Sequence, residues 1–260
     1  MKATIPIHPL GEAQSGKTLA LILHENIIWR VTPLYVEQTK GWLQAHFMTI
    51  FDNPCLSMKN GEESRVSAVD SLVLKRQIPP TAASAIKFAF HFSKARSSFF
   101  LGLRLRSLGI RTPESIAWAT VRKNGLRRVD YLLSKEICNC ATLLDWLDNI
   151  CRGAEQRENI TAMLGRQLAL FHVNGFSNRD MKATNILIPH GDNPKLWVVD
   201  LDGVRKKTRI TRRRAIRDLY PIRLSLQRYG KRLDSDDSVL LQAYNDAVPD
   251  HMNLDCEMLK

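Results

Sequence analysis

Residues 171–203, FHVNGFSNRDMKATNILIPHGDNPKLWVVDLDG, restrict the possible folds and chemistries more than any other part of the chain. A polar stretch, Asn178-Arg179-Asp180-Met181-Lys182-Ala183-Thr184-Asn185, opens into the apolar run Ile186-Leu187-Ile188. After a short turn a second apolar run, Leu196-Trp197-Val198-Val199, ends on Asp200. Short apolar runs bounded by turn residues predict two strands with polar groups at their ends. The chemistry of such an arrangement is specific. Asp180 can accept a proton from an attacking hydroxyl. The Asn185 amide oxygen and the Asp200 carboxylate are hard ligands suited to Mg²⁺ held on phosphates. Lys182, between Asp180 and Asn185, can neutralise charge on a phosphoryl group in transit.

The loop resembles the kinase catalytic loop H-R-D-x-x-x-x-N, with Asn178 at the usual histidine position. Val199-Asp200-Leu201-Asp202 stands where kinases carry D-F-G but lacks the Phe-Gly, as in kinase-like sugar and antibiotic phosphotransferases. Residues 93–137 narrow the likeness: a basic helical stretch, then Gly109-Ile110-Arg111-Thr112-Pro113, then a pair of strand-like runs. This pattern resembles the bacterial lipopolysaccharide core (Kdo/heptose) kinases, over roughly residues 45–245. The resemblance implies an α+β, two-lobed protein-kinase-like fold, with a small antiparallel-sheet N-lobe and a mainly helical C-lobe. The implied division is a flexible tail at 1–18, an N-lobe at 19–136 and a C-lobe at 137–260. It also implies ATP and Mg²⁺ as cofactors, with transfer of the γ-phosphate to a sugar hydroxyl of an anionic glycan or glycolipid. Asp180 and Lys182 are then the catalytic residues and Asn185 and Asp200 the metal ligands. Lys75, Glu136 and Ile137 contact the nucleotide, Lys75 through the α and β phosphates and the backbone near Glu136 and Ile137 through the adenine edge.

The remaining sequence tests this outline. Leu72-Val73-Leu74-Lys75 fits the kinase strand whose lysine holds phosphates, although no Gly-rich phosphate loop precedes it; Gly61 is the only glycine between Gly41 and Gly102. Residues 19–76 read as strands, including Phe47–Phe51, with a hairpin turn at Asn60-Gly61. Residues 82–109 read as a helix ending at Gly109, with Phe92, Ala95, Phe99 and Leu103 at helical spacing. Kinases place a glutamate on this helix to pair with the strand lysine, yet no Asp or Glu occurs between Lys75 and Pro113. Strands are predicted at 115–121 and 129–133, separated by the turn Asn124-Gly125, and helices at 141–150, 158–173 and within 215–247. Gly175 marks a helix end, and His172 reads as a packing residue rather than a base. Arg217-Asp218 is read as a structural ion pair, and Tyr220, Leu224 and Leu226 as apolar contacts. Asp202 is read as hydrogen-bonding support beside the metal site.

The chain holds 38 Lys and Arg against 26 Asp and Glu, a formal charge of +12, which favours polyanionic partners. Seven positive charges lie in residues 205–214. They read either as a solvated helix face or as a cationic lining for an anionic acceptor. The same cluster suits contact with an anionic membrane surface. No aromatic-basic interleaving points to nucleic acid, and none is expected as a partner. The five cysteines are odd in number and irregularly spaced, which predicts reduced thiols. No apolar run approaches the ~20 residues of a membrane helix, and Leu19–Leu23 is too short for a signal-peptide core. The expected location is cytoplasmic, peripheral to the inner membrane.

Three other readings share parts of this pattern. One is a protein or small-molecule kinase of the same fold. Another is a pseudokinase, suggested by Asn178 and the missing helix glutamate. The third is a P-loop NTPase, because Gly11-Glu12-Ala13-Gln14-Ser15-Gly16-Lys17-Thr18 fits Walker A and Leu196–Asp200 could serve as Walker B.

Overall fold

Two-residue turns organise the first half of the chain. In the computed structural model, residues 19–61, 63–78, 93–123, 126–151, 153–191, 194–231 and 234–259 are described. Strands β1 (Ala20–His24) and β2 (Ile27–Val31) are joined by Glu25 and Asn26, both with positive φ (49° and 57°). Strands β4 (Ser64–Val69) and β5 (Leu72–Gln77) are joined by Asp70 and Ser71 in the same way (50° and 61°). Paired left-handed residues match the right-handed twist of an antiparallel hairpin.

With β3 (Ser57–Asn60), β6 (Ser115–Lys123) and β7 (Leu126–Lys135), these strands form a seven-stranded sheet ordered β1-β2-β6-β7-β5-β4-β3, every pairing antiparallel. Alternation along β5 buries Leu72 and Leu74 on one face and leaves Lys75 half-buried on the other.

The Leu72 face carries the larger core. Trp29, Val31, Leu43, Ile50, Leu74 and Leu133 are at most 1% exposed there, and Phe47 meets Trp29 edge-on at 5.5 Å. Much of this packing comes from helix α1 (Val36–His46), where strand was expected. Phe47–Phe51 is likewise not a strand but the turn that leaves α1. Thr39, Trp42, Leu43, Phe47 and Ile50 recur at helical spacing, so one apolar stripe reaches the sheet despite the polar residues between. The opposite face carries a smaller cluster, in which Ala95 and Phe99 of helix α2 (Lys94–Ser107) pack with Trp118 and Leu132. Leu103, expected on the same stripe, is 36% exposed, and Phe92 lies outside the described residues. Gly109 follows α2 with φ +78°.

The described residues fall into two compact units. The sheet unit includes the segments up to Arg106 and Pro113–Cys138; the second takes Ser107–Thr112 and the chain from Asn139 onward. The second unit is built on helices α3 (Leu143–Asn149), α4 (Ala154–Val173), α5 (Arg212–Arg228) and α6 (Asp234–Asn245). The Thr142 hydroxyl caps α3 by accepting from Asp145 N at 3.2 Å. Two small antiparallel sheets accompany them. One has the order β11 (Trp197–Val198), β10 (Ile186–Pro189), β8 (Cys140–Thr142); the other pairs β12 (Val204–Lys206) with β9 (Phe176–Asn178). All five cysteines are free, and no described helix is long and apolar enough to cross a membrane.

Candidate active site

The second unit gathers four of the expected residues on one scaffold. Gly175 ends α4 with φ +71° and turns the chain into β9. The loop after β9 then folds back on itself. Asp180 N donates to Asn178 Oδ1 (3.1 Å), Lys182 N donates to Asp180 O (2.9 Å), and Asn185 N donates to Lys182 O (2.9 Å). The Asn185 side chain closes the loop by donating from Nδ2 to Asp180 O at 2.8 Å. With its nitrogen so engaged, Asn185 presents its amide oxygen as the available ligand atom. Lys182 Nζ lies 2.5 Å from Asp180 Oδ1, with the lysine exposed and the aspartate partly so.

Asp200 reaches this loop through the adjoining strand. Val199 N donates to Asn185 O at 2.9 Å, so the residue before Asp200 is tied to the residue that closes the loop. Asp200 itself is left-handed, φ 57° and ψ 72°, a conformation that costs a non-glycine residue energy and is held by its surroundings. Leu201–Gly203 then form a 3₁₀ turn. Asp202 is therefore not on an extended continuation of β11; its carbonyl accepts from Arg205 at 2.7 Å. Asn185 and Asp200 carry hard oxygen donors on segments tied together by the Val199–Asn185 backbone bond, a donor set of the kind that suits a divalent cation completed by phosphate oxygens and water. Among the described residues there is no cluster of three or more His, Cys, Asp or Glu able to hold a metal by itself.

Helix α5 anchors the loop from beneath. Asp218 is fully buried and accepts from Asn178 N and Ser177 Oγ, both at 2.9 Å, with His172 Nε2 at 3.3 Å. Two turns further on, Ser225 Oγ accepts from Ala183 N at 2.9 Å. Asp218, Ile222 and Ser225 thus share a helix face. Tyr244 Oη lies 2.9 Å from His172 Nδ1, and burial together with the Asp218 charge pushes the phenol well above its ordinary value. A neutral phenol donating to Nδ1 leaves the Nε2 proton for Asp218, which satisfies every member of the chain.

These contacts give His172 a packing role and correct the reading of Asp218. Its partners are the residues leading into Asp180, not Arg217, which is exposed; Tyr220, at 60% exposure, is not a core contact. The sequence held no local signal for Asp218 or Ser225, whose roles depend on a helix more than thirty residues beyond the loop.

The other three expected residues lie in the sheet unit. Lys75 is paired with Val66 and Leu132 in the sheet. Glu136 N donates to Ser71 O at 2.9 Å, so its N–H is engaged within the sheet unit. Nearby, Glu114 takes a 2.7 Å hydrogen bond from Tyr35 Oη and lies 3.2 Å from Lys135 Nζ. Burial raises the Glu114 pKa, but these hydrogen bonds and the Lys135 charge together hold it below its ordinary value.

The basic segment 205–214 is not one helix face. It runs through β12, a connecting stretch and the first turn of α5. Lys206 Nζ donates to Asn174 O at 2.5 Å and sits over the Phe176 ring, while Arg212 donates to His251 O at 3.1 Å. Arg209 and Arg213 are exposed. The Walker-A-like stretch 11–18 and the Asn124-Gly125 turn lie outside the described residues. The P-loop reading fails nonetheless, because β11, its candidate Walker B strand, belongs to an antiparallel sheet, whereas a P-loop fold needs parallel strands joined by crossovers.

No curated protein matches the chain in sequence. Among solved structures, one described as "WaaP in complex with acyl carrier protein" aligns with a TM-score of 0.58 over 87% of this chain and 88% of that one, at 16% identity. This likeness gives the fold as α+β and protein-kinase-like. The family model described as "Lipopolysaccharide kinase (Kdo/WaaP) family" matches residues 62–244, the greater part of the sequence. The chain therefore belongs to the lipopolysaccharide kinase (Kdo/WaaP) family, a family of phosphotransferases acting on sugar hydroxyls.

Proposed function

We propose that the protein transfers the γ-phosphate of ATP to a sugar hydroxyl of lipopolysaccharide core or a related anionic glycolipid. The observation that carries this reading is the closed loop in which Asp180, Lys182 and Asn185 are fixed by one another, with Asp200 beside them. In this mechanism the acceptor hydroxyl replaces Lys182 as the partner of Asp180. Asp180 orients the oxygen towards phosphorus and takes its proton as the new P–O bond forms and the bond to the leaving ADP oxygen breaks. Lys182, released from Asp180, turns to the transferring phosphoryl group and stabilises its charge. Asn185 Oδ1 and the Asp200 carboxylate are the residues that would hold Mg²⁺, which when bound offsets charge on the nucleotide phosphates. Lys75 serves the α and β phosphates, and the backbone around Glu136 and Ile137 serves the adenine edge. Most of the rate comes from positioning and fixed charge rather than covalent participation.

The exposed positive charges of 205–214 favour an acceptor that carries phosphates or sugar carboxylates. They also suit a cytoplasmic protein resting on an anionic leaflet, where each basic residue adds about 1 kcal/mol. The test is transfer of labelled γ-phosphate from ATP and Mg²⁺ to dephosphorylated lipopolysaccharide core, with Asp180→Ala in parallel. Label appearing in the core and lost with Asp180→Ala is the expected result. Unchanged transfer by the variant overturns the role of Asp180. ATP binding without transfer to the core, but with transfer to another acceptor, overturns the acceptor alone.

A further inference from the structure

Asp180 stands between two anchored peptide groups. On its C-terminal side its carbonyl accepts from Lys182 N at 2.9 Å and from Asn185 Nδ2 at 2.8 Å. On its N-terminal side its N–H donates to Asn178 Oδ1 at 3.1 Å. The direction of a side chain follows from the backbone N and C atoms that flank its Cα. Holding both peptides therefore aims the Asp180 carboxylate, and the N-terminal hold comes from the side chain of Asn178.

Asn178 is fixed by its own surroundings. It closes β9, where it pairs with Val204 of β12, and its N–H donates to the buried Asp218 at 2.9 Å. The residue is 1% exposed, whereas Arg179, between it and Asp180, is exposed. The side chain thus reaches past an exposed residue to the next N–H, as Asn and Asp do when they hydrogen-bond the backbone two residues on.

The side chain is engaged through its oxygen alone. Asn178 Nδ2 is buried and has no hydrogen-bond partner among the described residues, and a buried donor left unpaired is a net cost to the fold. The amide cannot be turned over to relieve it, because the Asp180 N–H would then face a donor. Packing around the oxygen is close: a Cβ at Gly203 would stand 2.8 Å from it. The oxygen therefore fills the space between the Asp180 N–H and the turn that follows Asp200. It does so without the second negative charge that an aspartate would bring beside Asp180.

We infer that Asn178 is a positioning residue for Asp180, which sets the direction of the carboxylate through the Asp180 N–H. The inference rests on the reading of Asp180 as the group that takes the acceptor's proton. It makes the departure from H-R-D at position 178 a working part of the loop rather than a sign of lost activity.

The test compares Asn178→Ala, Asn178→Ser and Asp180→Ala in transfer of labelled γ-phosphate from ATP and Mg²⁺ to dephosphorylated lipopolysaccharide core, with ATP affinity and a thermal melt for each. Alanine and serine both remove Nδ2 and leave similar space, but only serine returns an oxygen able to accept from the N–H two residues on, more weakly than asparagine does. Asn178→Ala is expected to lower kcat by about 100-fold, the effect of displacing a reacting group by about 1 Å, with ATP affinity unchanged. Asn178→Ser should recover part of that loss without a matching gain in melting temperature. A role in stability alone gives both variants the same turnover once folded, and that result overturns the inference. Full turnover in Asn178→Ala beside an inactive Asp180→Ala overturns it too. Transfer retained by Asp180→Ala overturns the reading of Asp180 and the inference with it. Amide exchange needs neither acceptor nor nucleotide. The Asp180 N–H should exchange slowly in the unaltered chain and about fivefold to tenfold faster in Asn178→Ala, the effect of losing one hydrogen bond. Exchange at the rate of an unstructured peptide in the unaltered chain overturns the inference, even where the variants do not fold.

Discussion

Gly203 is fitted against Asp180. A Cβ at position 203 would stand 2.7 Å from Asp180 Cβ, 2.8 Å from Asn178 Oδ1 and 3.0 Å from Asp180 N. All three belong to the Asp180 turn, and two are backbone or Cβ atoms that cannot rotate aside. The turn after Asp200 and the loop that carries Asp180 therefore touch at a point where no side chain can be admitted. Gly203→Ala is expected to cost about 1–3 kcal/mol in overpacking. It should also lower turnover by about 100-fold, since displacement of a reacting group by about 1 Å has that effect. Steady-state phosphotransfer and a thermal melt on the same preparation check both; full activity in a stable variant would show that the loop yields without cost to catalysis.

The bond from Asn178 N to Asp218 supports the same loop from the other side. Asp218→Ala leaves the Asn178 N–H, the Ser177 hydroxyl and His172 without an acceptor in a buried site. Each unsatisfied donor costs about 1–3 kcal/mol, so this variant should be strongly destabilised. Asp218→Asn retains one acceptor oxygen and should melt between the two. Because Asp218 holds Ser177 and Asn178, which lead into Asp180, together with His172 at the end of α4, the folded Asn variant should lose turnover while its ATP affinity changes little. Parallel measurements of kcat and ATP affinity decide this; an equal loss in both would mean that the helix supports more than the loop.

What could be read from sequence follows the range of the forces involved. The run from Asn178 to Asp200 was legible because its turn residues and apolar strands are contiguous, and hydrogen bonds such as Asn185 Nδ2 to Asp180 O close within five residues. Lys75 was legible as a strand residue because the short apolar run Leu72-Val73-Leu74 leads directly into it. Asp218 and Ser225 were not, because they act across the fold and carry no local pattern of their own. Helix α1 was missed because its apolar stripe, Thr39 to Ile50, is interrupted by polar residues that make short windows look irregular. The basic cluster was legible as charge but not as structure. Three of its cations donate to backbone carbonyls of Asn174, Asp202 and His251, and those partners are assembled only by the fold.

The Glu114–Lys135 pair beside Glu136 gives a pH-dependent signature. Glu114 has a folded pKa below its ordinary value of 4.5, because hydrogen bonds from Tyr35 and Lys135 and nearby positive charge outweigh the opposing effect of burial. For a depressed carboxylate the stabilisation is complete above the unfolded pKa and is lost as pH falls through the folded one. Lys135 is half-exposed, so the pair is worth no more than about 1 kcal/mol. Melting curves of the unaltered protein and Glu114→Gln should therefore differ at neutral pH and converge as the pH falls below the ordinary carboxylate range. A difference that persists undiminished into stronger acid would assign the effect to packing rather than charge.

Gly165 offers a variant that separates architecture from chemistry. It lies in α4 where α6 crosses, and a Cβ there would collide with the backbone carbonyl of Leu240 and press on Ala243 Cβ and Tyr244 N, each at 3.1 Å. The obstruction is helix backbone, so relief requires the helices to separate. Ala is otherwise the better helix former by about 1 kcal/mol, which sets two effects of opposite sign against each other. Overpacking of a well-filled contact costs about 1–3 kcal/mol, and a collision with backbone belongs at the upper end of that range. Gly165→Ala should thus lower the melting temperature despite its helix propensity. It should also disturb Tyr244, which hydrogen-bonds His172 and through it reaches Asp218. Turnover should fall less than in Gly203→Ala, because the strain arrives at Asp180 through four residues rather than by direct contact. Comparing the two alanine variants at a temperature where both are folded checks that order; a larger catalytic loss in Gly165→Ala would place the controlling rigidity of the loop in the α4–α6 crossing.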